Sequence, residues 1–140
     1  MDLEFAFLCD HADLGNNKLH AMGIGIDTLY LETVPNLHPG FVAVVSIRFQ
    51  RTEVGEKPSN LVIMGPDGEI VAKADGTLIV RSGTGPGNTS LHRLIVALRP
   101  VPIQKFGPYS VRCVVNGQEI ANIPFQVVKQ SAPDRKTTGA

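Results

Sequence analysis

Residues 107–127 read GPYSVRCVVNGQEIANIPFQV. Tyr109, Val111, Cys113 and Val115 share one parity, and Ser110, Arg112 and Val114 take the other, the period-two alternation of a strand with one covered face. Asn116-Gly117 supplies the two positive-φ residues that a tight antiparallel hairpin demands. On the return, Ala121, Ile123, Phe125 and Val127 continue the inner parity. Pro124 falls on the outer one, where an edge strand tolerates a missing N–H. An apolar sheet face of this kind has to be buried against another layer.

Upstream the same grammar recurs. Phe41 to Arg51 alternates Phe41, Ala43, Val45, Ile47 and Phe49 with a second parity that turns polar at Ser46 and Arg48, and so reads as a half-buried strand. Leu61 to Met64 and Glu69 to Ala74 flank Gly65-Pro66-Asp67-Gly68, a hairpin turn by its chemistry. Glu4 to Cys9 reads as a strand covered on both sides. A polar connection, Asp10 to Lys18, follows, and Gly15-Asn16-Asn17 reverses the chain within it. Leu19 to Leu31 reads as one long strand, bulky at Met22, Ile24, Ile26, Thr28 and Tyr30 and bare at Gly23 and Gly25.

Pro35 to Gly40 makes a turn, Glu53 to Asn60 a charged loop, Thr77 to Arg81 a short strand and Ser82 to Ser90 a loop. Leu91 to Arg99 also fits helical spacing, but the β-branched Ile95-Val96 and flanking Gly and Pro favour a strand. Pro100 and Pro102 interrupt pairing, and Lys129 to Ala140 is a polar tail without periodicity. The expectation is an all-β, single-domain antiparallel β-sandwich of eight or nine strands over residues 1–128, with a frayed tail over 129–140. A β-barrel is the alternative closure.

Composition agrees. The 140 residues include 14 Gly and 10 Pro, enough punctuation for many short elements. Thirteen basic side chains balance thirteen acidic ones, which leaves no excess of positive charge for nucleic acid or an anionic membrane. The acids at Asp2 and Glu4 do not suit an export signal, and Phe41 to Val45 and Leu94 to Leu98 are far too short to span a bilayer. A cytoplasmic setting follows as the expectation, with Cys9 and Cys113 reduced and buried.

The run Phe106-Gly107-Pro108-Tyr109-Ser110-Val111, followed by Cys113, resembles the late strand of immunoglobulin-like and fibronectin-like domains. In those domains a tyrosine near the strand start bonds back to nearby backbone, a role the resemblance gives to Tyr109. The cysteine comes four residues after the tyrosine where antibody domains have it two after, and the chain has no Trp, so the resemblance concerns architecture alone. More closely, the chain is similar to a family of uncharacterised bacterial proteins. The similarity lies in Phe5-Ala6-Phe7-Leu8-Cys9-Asp10, in Lys18 to Gly25, and in Gly107-Pro108-Tyr109 through Asn116-Gly117 to Ile123-Pro124-Phe125-Gln126-Val127. That family has no established activity and implies no catalytic residues.

Motif chemistry is sparse. Cys9-Asp10-His11-Ala12-Asp13 crowds four potential metal ligands together, but alternation along a strand end lets at most two converge. Asp10 and Asp13 therefore read as turn-bonding carboxylates and His11 as solvated, with no metal or other cofactor expected. Gly83-Thr84-Gly85-Pro86-Gly87 lacks the lysine and helix of a phosphate loop and reads as a mobile connection. No Gly-x-Ser-x-Gly elbow occurs, and His11, His20, His38 and His92 stand in no triad context, so no catalytic residue is assigned.

Two surfaces are candidates for contact. Ser46, Arg48, Ser110 and Arg112 would face solvent together if their strands share a sheet, and the bare Gly23/Gly25 face could admit another chain's backbone. The leading expectation is a non-catalytic interaction or structural module that meets a protein partner, or its own copy, through a sheet face or edge. The alternative is a domain binding a small molecule or carbohydrate, with a hydrolase behind it, its site lying in the loops Asp10 to Lys18 and Ser82 to Ser90.

Overall fold

The fold is organised around its most apolar strand. In the computed structural model, which describes residues 1–131, the strands in chain order are β1 (Asp2–Cys9), β2 (His11–Gly15), β3 (Lys18–Met22), β4 (Thr28–Leu31), β5 (Asn36–His38) and β6 (Phe41–Phe49). They continue as β7 (Gly55–Met64), β8 (Ile70–Val80), β9 (Ser90–Leu98), β10 (Val101–Ile103), β11 (Gly107–Val115) and β12 (Gln118–Lys129). Short 3-10 turns at Arg51–Glu53 and Pro86–Asn88 are the only helical pieces among the described residues. The protein is all-β.

Two main sheets face each other. One runs β1–β6–β9, antiparallel throughout; the other runs β4–β12–β11–β7–β8, antiparallel except where β4 joins β12 in parallel. Phe41, Val45, Ile47 and Phe49 of β6 share a core with Ile63, Tyr109, Val111, Cys113, Val115, Phe125 and Val127 from the opposite sheet. Phe41 meets Phe125 edge-on at 5.4 Å between ring centres, and Tyr109 stacks on Phe125 at the same separation. Such aromatic pairs add about 0.5–1.5 kcal/mol each beyond their burial and tie the two sheets at this point.

The opening hairpin is as the alternation predicts: Tyr109, Val111, Cys113 and Val115 are buried, and Asn116 and Gly117 both take positive φ (53° and 80°). Pro124 lies just ahead of Gln126, where β4 begins to pair, so β12 has a neighbour on one side only at the proline. The Tyr109 hydroxyl donates to the Lys105 carbonyl at 2.6 Å, the backbone anchor assigned to it. Leu91 to Leu98 is strand, not helix.

Twelve strands replace the eight or nine expected, and the differences have local causes. The polar stretch after Cys9 is itself the ribbon β2–β3, turned at Asn16 and Asn17 (φ 53° and 61°). The expected long strand Leu19 to Leu31 breaks after Met22, because Gly23 and Gly25 adopt φ of +70° and +97°. Amides of Gly25 and Ile26 there donate to the Leu8 carbonyl as the chain crosses to the other sheet. The charged segment expected as a loop at Glu53 to Asn60 is largely the first half of β7. Thr77 to Arg81 merges, up to Val80, into β8 through Gly76. The turn expected over Pro35 to Gly40 contains β5, which pairs with β10 across the Pro100 and Pro102 region.

β6 is buried on both faces rather than one. Its outer face carries a second, smaller core of Cys9, Ala12, Val42 and Val44, flanked by Phe5, Phe7, Leu19, Ala21 and Ile95. The β2–β3 ribbon lies over that face as a partial third layer. Cys9 belongs to this outer core and Cys113 to the main one; both are free thiols. The tail expected over 129–140 lies, from residue 132 on, outside the described residues.

Candidate functional site

Beyond the apolar part of β6, its outer face turns polar at Ser46 and Arg48. Register sets Ser46 beside Arg93 of β9, and Arg48 beside Leu91. The tip of the β2–β3 ribbon reaches over this row, and the Arg93 Nη1 donates to the Asn17 carbonyl at 3.1 Å. From the other side comes the segment after β8. It is folded back by bonds from the Gly85 amide to the Thr89 carbonyl (3.0 Å) and from the Thr89 hydroxyl to the Pro86 carbonyl (2.7 Å). A Cβ on Gly83 would sit 1.9 Å from the Thr89 carbonyl oxygen, so only glycine permits this close fold. The segment read as a mobile connection is thus a bonded turn.

Between ribbon tip and turn lies an open cleft of about 820 Å³. Leu14, Asn16 and Asn17 form one wall; Arg81, Ser82, Thr84, Gly85, Pro86 and Thr89 form the other; Arg48, Leu91, His92 and Arg93 lie along it. Three guanidinium groups line it and no carboxylate does. Arg48 is compensated: one nitrogen contacts Glu4 Oε2 at 3.2 Å and another donates to Thr89 Oγ1 at 2.9 Å, while the Ser46 hydroxyl holds the other Glu4 oxygen at 3.2 Å. Arg81 has no hydrogen-bond or ion-pair partner among the described residues. Arg93 Nε is buried without an acceptor. Burial lowers the pKa of His92, whose ring meets Phe49 edge-on at 5.4 Å, so at neutral pH it is uncharged.

The residues singled out from sequence are dispersed. Ser46 is fully buried, and Arg48 and Arg112 sit in different sheets on opposite sides of the molecule, so the expected four-residue polar face does not exist. Ser110 and Arg112 pair with each other on the five-stranded sheet (3.3 Å), and Arg112 also lies 3.6 Å from Glu119. Gly23 and Gly25 make a turn, not a bare strand face; a Cβ on Gly23 would strike the Asp10 carboxylate at 2.1 Å.

In the Asp10, His11 and Asp13 cluster, His11 is solvated as read, but the two carboxylates are placed differently. Asp10 contributes backbone, its amide bonding Met22 and its carbonyl receiving Arg99, while His11 and Asp13 pair with each other at 3.4 Å in solvent. Among the described residues no three His, Cys, Asp or Glu side chains converge. What does come together is the pair of loops Asp10 to Lys18 and Ser82 to Ser90, named for the alternative reading. Arg81 and Arg93 were missed, because nothing in their spacing connects them to Arg48.

The architecture defines a class: an all-β sandwich with an added hairpin layer and an arginine-lined cleft at its edge. Residues 4–128 match a family of unknown function, DUF6941, and the chain belongs to that family. A search of curated proteins finds no match. No helix among the described residues is long and apolar enough to cross a membrane.

Proposed function

We propose that the protein is a non-catalytic binding module whose recognition site is the cleft between the β2–β3 tip and the 81–90 turn. The observation that carries this reading is the meeting of two separate loops over a hollow of about 820 Å³, within the size range of small-molecule sites. Its lining mixes apolar Leu14, Pro86 and Leu91 with polar groups that converge on one space. That composition suits holding a ligand. The lone imidazole, His92, packs on Phe49 and has no hydrogen bond to a hydroxyl or carboxylate among the described residues, which speaks for binding rather than acid–base chemistry.

The reading of a protein partner docked on a shared Arg48/Arg112 face loses its basis, because those residues do not share a face. The Tyr109 anchor supports an immunoglobulin-like ancestry for the sandwich. Two buried free thiols favour a reducing, cytoplasmic setting.

A thermal-shift screen over a broad metabolite panel tests the function. A ligand present at 100 times its Kd adds about 2.7 kcal/mol, enough to raise Tm by several degrees. The expected result is at least one such ligand, whose effect disappears in Thr84→Trp, a bulky side chain placed on the exposed cleft wall. A panel without a shift, or a shift unchanged in Thr84→Trp, overturns the reading.

A further inference from the structure

Resting on the cleft as the binding site, we propose that its ligand is a small organic phosphate monoester, whose dianionic group is gripped by Arg81 and Arg93. The charge count is local and unusual. The whole chain is neutral, with thirteen basic and thirteen acidic side chains, yet three guanidinium groups and no carboxylate line this one hollow. Glu4 answers only Arg48. His92 adds nothing, since it is neutral at physiological pH. Among the described residues no carboxylate compensates the two positive charges on Arg81 and Arg93.

A guanidinium is a planar fork of donors whose spacing matches two oxygens of one oxyanion, and two such forks suit a group with three oxygens and two negative charges. A phosphate monoester above its second pKa, near 6, is that group. Arg93 is placed in advance: its Nη1 is fixed on the Asn17 carbonyl, while Nη2 has no hydrogen-bond acceptor among the described residues. Arg48, locked by Glu4 and Thr89, acts as a wall whose charge is already matched. The organic part follows from size and lining. A bare phosphate would leave most of the roughly 820 Å³ empty, whereas Leu14, 54% exposed at the ribbon tip, offers apolar surface together with Pro86 and Leu91. Asn16 and Asn17 add amide groups at the rim.

Isothermal titration of the full chain with phenyl phosphate, inorganic phosphate, benzoate and benzyl alcohol tests the proposal. Phenyl phosphate should bind at least tenfold more tightly than inorganic phosphate or benzoate, and its affinity should rise from pH 5.5 to 7.5 as the second proton leaves. Arg81→Gln and Arg93→Gln should each weaken it by about tenfold or more, the size expected for a charge-assisted bond. Arg93→Lys should retain part of the affinity, and Arg112→Gln, on the far sheet, should leave it unchanged. Far-ultraviolet circular dichroism and Tm of each variant separate lost binding from lost folding.

Inorganic phosphate binding as tightly as phenyl phosphate would refute the organic ester. So would phenyl phosphate binding equally well to the Arg81 and Arg93 variants. If benzyl alcohol or benzoate binds, Thr84→Trp abolishes that binding, and phenyl phosphate is ignored, the phosphate assignment falls and the cleft reading stands. If neither these probes nor any member of the metabolite panel binds, both fall.

Discussion

Replacing Tyr109 by Phe removes one oxygen from a position that is otherwise 4% exposed. The ring, stacked on Phe125 at 5.4 Å, stays. The loss is the 2.6 Å bond to the Lys105 carbonyl, worth about 1 kcal/mol net. Lys105 is exposed, so water can reach the freed carbonyl, and the penalty for an unpaired acceptor stays at its lower end of about 1 kcal/mol. The sum is roughly 1–2 kcal/mol. Tyr109→Ala also empties the ring's place between β11 and Phe125 and should cost about 3–5 kcal/mol, the usual range for an aromatic truncated in a core. In urea, with a slope of about 2 kcal/mol/M for a domain of this size, the Phe variant should lower the midpoint by about 0.5–1 M at unchanged slope. The Ala variant should lower it two- to threefold more. A Phe variant with the wild-type midpoint would show that the hydroxyl anchors nothing. Equal losses for Phe and Ala would show that the ring does not hold the sheets together.

Glycine substitutions should separate conformation from space. Gly40 (φ +98°) and Gly117 (φ +80°) both need the left-handed region, but a Cβ at Gly40 lies 2.1 Å from the Leu98 carbonyl oxygen while one at Gly117 meets nothing within 4 Å. Gly117→Ala should therefore cost about 1–2 kcal/mol and Gly40→Ala clearly more; equal costs by urea denaturation would contradict the close approach. Acid should destabilise the fold through His38, whose pKa burial lowers and whose Nδ1 accepts the Gly40 amide at 2.9 Å. The unfolded chain then takes up the proton first, so stability falls as pH drops below about 6.5 and levels off below the depressed folded value. His38→Asn should flatten that part of the stability–pH curve, and an unaltered curve would exclude His38 as its source. Burial pushes the Cys113 thiol up to about 11 and also raises Cys9. Neither should react with a disulfide reagent at pH 8 until denaturant is added, and rapid labelling of the native protein would contradict their burial.

The hairpin 107–127 was legible because its alternation, its Asn-Gly turn and its tyrosine all describe one geometry. The outer face of β6 was not. Polar Ser46 and Arg48 look solvated when a strand is read alone, and only pairing with β1 makes Ser46 a buried partner of Glu4. Gly23 and Gly25 misled for a related reason: alternation with glycine on one parity looks the same whether the chain is a bare strand or a positive-φ turn. For the cleft, the two contributing loops and Arg48 could be named, but not Arg81 or Arg93. Arg48, Arg81 and Arg93 come from β6, from just after β8 and from β9, and sequence spacing carries no trace of that meeting.

The central claim is that the cleft, rather than a sheet face or edge, is where this protein meets its ligand. Backbone amide shifts of the ¹⁵N-labelled protein, followed through a titration with phenyl phosphate, test it most directly. Saturable shifts confined to residues 14–17, 81–85 and 89–93 are predicted. Shifts centred on Ser110 and Arg112 or on Gly23 to Ile26 would contradict it, and no shift at millimolar concentration would contradict the phosphate assignment.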